Sequence, residues 1–120
     1  MFRLFSSLFR RSRELEADLH PTPDCTLGGK GEIEIETWSD GAGRLEASIA
    51  HTGLPNGAQV DVFCGEHHVT SLVVQSGYAK AVIDKPADGA GFDETLASIG
   101  AEASFRHDGA TIYRGIFRPD

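Results

Sequence analysis

The residues best suited to chemistry in this sequence lie in one stretch, DVFCGEHHVTSLVV, at residues 61–74. It places Cys64, His67 and His68 around a Gly-Glu pair, and thiolates and imidazoles are common zinc ligands in proteins. A structural zinc site needs four such ligands, and a catalytic site needs three. A thiol beside an imidazole can also become an activated nucleophile. The stretch therefore suggests either a metal site or a reactive cysteine.

The elements that would position these side chains are two strands joined by a tight turn. With Gly65 and Glu66 in the turn, the hairpin gives three cross-strand pairs: Cys64 with His67, Phe63 with His68, and Val62 with Val69. Adjacent residues of a strand point to opposite faces, so the two histidines are separated. Two ligands remain on one face, and the others would have to come from distant residues: Cys25, His20, His51 or His107.

We therefore expect Cys64 to be a small core residue, His67 to close the edge of the core, and His68 to be in solvent. The pair Cys64 and His67 is retained as an alternative metal site. Trp38, at the end of a predicted strand, is a further candidate for contact with a surface ligand. No cofactor is predicted. Because no nucleophile, base and oxyanion donor can be assembled, no enzymatic activity is predicted either.

Strand patterns dominate the sequence after residue 30. Apolar and polar residues alternate in GEIEIETW and RLEASIA, and a three-residue loop ending at Gly41 pairs Ile35 with Leu45 and Glu36 with Arg44. The same argument, applied to loops ending at Gly77 and Gly109, predicts four more pairs: Val73 with Ala79, Val69 with Ile83, Phe105 with Thr111, and Ala103 with Tyr113. Three hairpins with sound registers indicate an antiparallel sheet.

The predicted fold is mainly β, an antiparallel seven-stranded sandwich or partly open barrel. Its strands lie near residues 31–38, 42–50, 58–64, 67–74, 78–84, 101–106 and 110–118. A short helix is predicted near residues 92–99, where FDETLASI has helical spacing and is followed by Gly100. The expected organisation is a helix over residues 1–20, a linker over 21–30, and a single β-sandwich domain over 31–120.

An amphipathic helix is predicted at the N-terminus, from about residue 2 to residue 18. Its apolar half and its basic half supply the candidate docking residues: Phe2, Arg3, Phe5, Leu8, Phe9, Arg10, Arg11 and Arg13. Such a helix can cover one side of the sheet, lie in an anionic membrane interface, or dock into a groove of a partner protein. The acid-free, arginine-rich composition is also typical of an organellar transit peptide.

Composition limits the classes of function. The chain has 120 residues and a formal charge of −7, and residues 1–13 hold four arginines and no acid. The remainder therefore carries a charge of −11, which makes nucleic acid an unfavourable partner. Two cysteines do not form a disulfide framework, and no apolar run is long enough to span a bilayer. These features predict a cytoplasmic protein, with a peripheral position at the membrane as an option.

The function predicted from the sequence is that of a small non-enzymatic binding module. It would dock to a partner protein or to an anionic membrane surface through its N-terminal helix. The alternative is a metal-binding protein that uses Cys64 and His67.

Overall fold

The structure, a computed structural model, describes residues 12–86 and 98–119 of the chain. These residues form nine strands: β1 (Ser12–Pro21), β2 (Lys30–Trp38), β3 (Gly43–Ala50), β4 (Gln59–Cys64), β5 (His67–Val73), β6 (Ala79–Lys85), β7 (Glu102–His107), β8 (Ala110–Ile116) and β9 (Arg118–Pro119). All pairings between the strands are antiparallel, so the predicted mainly-β antiparallel fold is confirmed.

Eight of the strands form a sheet that curls into a nearly closed barrel. Their order is β5-β4-β7-β8-β1-β2-β3-β6, and the two-residue β9 pairs with β1 outside this path. The two ends of the sheet, β5 and β6, are consecutive in the chain and meet at a turn, where Gln75 and Tyr78 form an isolated bridge. No ladder joins β5 to β6 beyond that bridge in the described residues. The barrel that the described strands form is therefore open between β5 and β6.

The prediction of a helix through residue 18 is wrong for the described residues. Residues 12–21 form β1, which pairs with β2 over eight consecutive positions and lies near the middle of the sheet. The segment also alternates with a period of two: Leu15, Ala17 and Leu19 are buried. As a strand, the segment places all three of these side chains in the core. The free energy gained by burying them favours the strand over the predicted helix.

Two parts of the predicted helices lie outside the described residues. These are residues 1–11 and most of the segment predicted to be helical near residues 92–99. The described end of the second segment, at Ile99 and Gly100, is a turn. Within residues 12–86 and 98–119 no helix is present.

β1 joins the two halves of the barrel. Its residues 12–19 pair with β2, whereas His20 and Pro21 pair with Arg114 and Tyr113 of β8. At this crossing the backbones approach so closely that a Cβ atom on Gly115 would lie 2.1 Å from the carbonyl oxygen of Asp18. Only glycine fits such an approach, so Gly115 lets the chain pass from one half of the sheet to the other.

The core contains aliphatic side chains from both halves together with three large aromatic residues. Phe105, Tyr113 and Phe117 are each no more than 1% exposed. The Phe105 ring packs directly on the backbone of β2, because a Cβ atom on Gly31 would lie 2.4 Å from its Cε2 atom. Phe105 and Tyr113 also form an edge-to-face pair with ring centroids 6.3 Å apart. Phe105 thus connects β7 with β2 and with β8 through the core.

The register predicted for the first hairpin is confirmed. Ile35 pairs with Leu45 and Glu36 with Arg44, and Gly41 has the left-handed backbone (φ 91°) that the three-residue loop requires. In the β4–β5 hairpin the pairs of Phe63 and Cys64 are also as predicted. A bulge then shifts the register by one residue, so that Val62 pairs with Thr70 rather than with Val69.

The other two predicted registers are wrong. In the β7–β8 hairpin, Asp108 and Gly109 both adopt positive φ, and His107 pairs with Ala110 across a two-residue turn. After a bulge, Phe105 pairs with Tyr113 rather than with Thr111. Likewise, β6 does not return along β5; it pairs with β3 instead. Pairing with β3 sets Ile83, Ala81 and Ala79 of β6 opposite the buried Leu45, Ala47 and Ile49.

Substitution of Gly31 by alanine tests the packing of Phe105 on β2. The added methyl group would meet a fully buried ring, so we expect Gly31→Ala to lower the free energy of unfolding by about 1–3 kcal/mol in urea titrations. In a Phe105→Leu background, which removes the ring, the same substitution should cost clearly less. An equal loss in both backgrounds would contradict this contact.

Candidate functional site

Cys64 and His67 are cross-strand neighbours, as predicted, but they have different environments. Cys64 is 2% exposed, whereas His67 is exposed and does not close the edge of the core. Burial raises the pKa of the Cys64 thiol to about 11, so the group is neutral at physiological pH. A nucleophilic role needs the thiolate, which this burial disfavours. Within the described residues, no group of three potential metal ligands includes either residue.

A different polar cluster lies on the outer face of β4 and β5. Ser71 Oγ donates a hydrogen bond to Asp61 Oδ1 at 2.7 Å, and Gln59 Nε2 donates to the same oxygen at 3.0 Å. His68 Nε2 lies 3.0 Å from Ser71 Oγ and 3.6 Å from Asp61 Oδ1. The hydrogen bonds from Gln59 and then Ser71 lower the pKa of Asp61, so its carboxylate is ionised.

This cluster holds a serine, a histidine and an aspartate in the wrong order for nucleophilic catalysis. In a catalytic triad the histidine lies between the other two and accepts the serine proton. Here Ser71 lies between His68 and Asp61 and gives its proton to the carboxylate. The histidine therefore has no serine proton to remove. The arrangement stabilises the β4–β5 hairpin through polar contacts and does not activate a nucleophile.

Arg106 and Phe63 extend the same outer face toward β7. The guanidinium carbon lies 3.8 Å from the centroid of the Phe63 ring, a cation–π contact, and Arg106 also reaches Glu66 at 3.4 Å. The Phe63 ring in turn lies 5.4 Å from the ring of His68. Each of these groups is therefore occupied by a neighbour on the same surface.

An acidic surface covers the outer side of β1 and β2. Glu16, Asp18 and Glu32 each have a carboxylate oxygen within 4.8 Å of the other two, a spacing that a cation could bridge. Arg118 of β9 already lies against this group, 2.6 Å from Asp18 and 3.3 Å from Glu16. The guanidinium thus supplies the positive charge that a metal ion would otherwise bring, and the cluster is explained by this ion pair.

A buried polar network closes one end of the barrel. The hydroxyl of Tyr113 donates to the carbonyl oxygen of Gly28 and lies 2.9 Å from Thr52 Oγ1. Leu54 N–H also donates to Thr52 Oγ1, at 3.3 Å. Burial raises the pKa of Tyr113, which keeps the phenol neutral. These hydrogen bonds link Tyr113 of β8 to the loops that contain Gly28 and Thr52.

The side chains of β6 are less covered than those of the neighbouring β3. On the inward side of the neighbouring β3, Leu45, Ala47 and Ile49 are at most 2% exposed. Their cross-strand partners on β6 are only half-buried: Ala79, Ala81 and Ile83. Solvent therefore reaches the inner face of the barrel at the seam. On the outward side, Val82 is 47% exposed between Lys80 and Asp84.

The remaining predicted site residues lie apart from this edge or outside the described chain. Trp38 is half-buried at the end of β2, opposite Ser12, and its role as a ligand contact stays a prediction. Arg13 is exposed on β1. The other docking residues fall outside the described residues: Phe2, Arg3, Phe5, Leu8, Phe9, Arg10 and Arg11.

The sequence does not reveal the β6 edge, because the hairpin pattern predicts β5 as the partner of β6. The signal was present in AKAVIDK, in which two opposite charges flank a central valine at alternate positions. The Asp61 cluster was missed for a simpler reason. Polar residues on the outer face of a strand are expected in solvent and carry no sign of mutual contact.

Comparison with known protein families and with curated proteins finds no match to this chain. In the part of the chain that the structure describes, no helix has the length and apolar character needed to cross a bilayer.

The raised pKa of Cys64 predicts slow thiol chemistry. In a Cys25→Ser variant at pH 8, roughly one Cys64 thiol in a thousand would be ionised, and the side chain is also buried. We expect labelling by Ellman's reagent to be at least a hundredfold slower, in order of magnitude, than in the same variant unfolded in guanidinium. Equal labelling rates would show that the thiol is accessible and ionisable in the folded chain.

The lowered pKa of Asp61 predicts a small pH-dependent stabilisation. It is fully present above the pKa of an unfolded aspartate, about 3.9, and is lost as the pH falls through the lower folded value. Because the side chain is 38% exposed, Asp61→Asn should cost less than about 1 kcal/mol in urea unfolding at pH 7 and nothing at strongly acidic pH. The exposed Asp24, changed to asparagine, is the control. A cost independent of pH would contradict this assignment.

Proposed function

We propose that this protein is a non-enzymatic binding module that captures an extended segment of a protein partner along the open edge of β6. The observation that carries the proposal is the exposure of the inward side chains: those of β3 are buried, whereas the apolar ones of β6 are only half-buried. An added strand would pair with backbone groups on the side of β6 away from β3, where no ladder to another described strand is present, and would complete this cover.

The chemistry of the edge indicates which segments fit. The outward positions of β6 run from Lys80 through Val82 to Asp84, and the inward positions are the apolar Ala81 and Ile83. An antiparallel strand that carries an acid opposite Lys80 and a base opposite Asp84 would place opposite charges in contact on the outer face. Apolar residues at its alternate positions would extend the core.

The other described clusters support a binding role rather than a catalytic one. Cys64 is protonated, and Ser71 gives its hydroxyl proton to Asp61 and not to a base. The proposal includes a cytoplasmic location, on the ground of the sequence composition. A docking role for the basic segment Phe2–Arg13 is part of the same proposal and rests on the apolar and basic residues of that segment.

A synthetic strand tests the proposal. The probe is a seven-residue peptide of alternating valine and threonine, with lysine at its second position and aspartate at its sixth. We expect it to shift the amide NMR signals of β6 and to slow their hydrogen exchange. The matched control replaces the central residue of the peptide with proline, which interrupts strand pairing. Equal shifts from both peptides, or shifts confined to residues away from β6, would reject the proposal.

A further inference from the structure

A groove lies on the outside of the barrel where β1 meets β8. Its volume is about 290 Å³, close to the lower end of the ~300–1,000 Å³ range of small-ligand sites. The residues around it come from the end of β1, from the segment that follows β1, and from β8: His20, Pro21, Thr22, Pro23, Arg114 and Ile116. No residue of β6 lines the groove, so it is separate from the edge in the proposed function.

The apolar part of the groove is formed by Ile116 and two prolines. Ile116 is 61% exposed and lies around the same groove as Pro21 and Pro23, so these side chains form one apolar surface. Gly115 adds bare backbone between Arg114 and Ile116. Because a proline ring fixes its own φ angle, this part of the surface loses little conformational freedom when a ligand binds. The groove can therefore cover one face of a flat apolar group.

The polar part is formed by His20 and Arg114, which are cross-strand partners and are both exposed. Arg114 forms an ion pair with Glu102, in which Nε lies 3.4 Å from Oε1 and both side chains are 54% exposed. This separation is longer than the about 2.7–2.9 Å of a strong charge-assisted hydrogen bond, and exposed ion pairs are weak. A carboxylate that approaches the guanidinium with two oxygen atoms can therefore compete with Glu102.

We propose that this groove binds a small aromatic carboxylate. The carboxylate lies on Arg114, with the His20 imidazole as a further donor, and the ring lies against Ile116 and the prolines. The apolar surface favours such a ligand over a small inorganic anion, and the guanidinium favours it over a neutral ring. Because the chain as a whole has a charge of −7, selection for an anion depends on these two side chains and not on the overall field.

Phenylacetate is the probe, in an NMR titration of the full chain. We expect saturable shifts in the amide signals of residues 20–22 and 114–116, with a dissociation constant on the order of 1 mM for a ligand of this size. Phenylacetamide keeps the ring and lacks the charge, and acetate keeps the charge and lacks the ring. Each should bind on the order of tenfold more weakly than phenylacetate.

Three variants test the residue assignments. Arg114→Gln should weaken phenylacetate binding on the order of tenfold but change phenylacetamide binding by no more than about twofold. Glu102→Gln removes the competing acid and should tighten phenylacetate binding roughly threefold. The matched control is Arg44→Gln, since Arg44 is 57% exposed and also forms an ion pair with an aspartate, Asp84. It should bind phenylacetate like the wild type.

The inference is overturned if phenylacetate causes no saturable shifts or shifts only residues away from the groove. Equal affinity for phenylacetate and phenylacetamide, or equal losses in Arg114→Gln and Arg44→Gln, would also overturn it. The Glu102→Gln variant guards against a loss of binding that comes from poor folding, because poor folding does not tighten binding. The outcome is independent of the alternating peptide, whose binding at β6 tests the proposed function alone.

Discussion

β1 is hydrogen-bonded to β2 through residues 12–19 and to β8 through residues 20 and 21, so a single strand holds the two halves of the barrel together. The crossing depends on the close contact of Gly115 with the backbone of Asp18. With β1 in place, the inward side chains of both halves face one common core, and Phe105 of β7 reaches the backbone of β2 at Gly31. The end strands β5 and β6 are thereby brought side by side without a ladder between them.

Many polar side chains of the described residues make hydrogen bonds or ion pairs with one another. Tyr113 and Thr52 satisfy each other inside the barrel, and Asp61 collects two donors on its outer face. Among the described residues, no buried side-chain nitrogen or oxygen atom is without a partner. An active site usually keeps at least one group poised and perturbed in an accessible cleft. Here the perturbed groups are either buried, as Cys64 is, or held by neighbours.

At the seam between β5 and β6, the described residues include half-buried apolar side chains and strand edges that no ladder joins. An added strand can pair with such an edge. β3 has a strand on each side, and its inward side chains are buried. β6 is an end strand of the sheet, and its inward side chains are only half-buried. Lys80 and Asp84 on the outer side of this strand form ion pairs with Glu46 and Arg44 of β3.

The amino-acid sequence by itself determined where most strands lie and which face of each strand is buried, because alternation and turn residues are local properties. It also determined the first hairpin, whose loop ending at Gly41 sets the register without outside help. Only the tertiary structure decided that residues 12–21 form a strand, that β6 pairs with β3, and that Cys64 is buried while its cross-strand neighbour His67 is exposed. These outcomes depend on barrel closure, which rewards burial between residues far apart in the chain and so overrides local spacing.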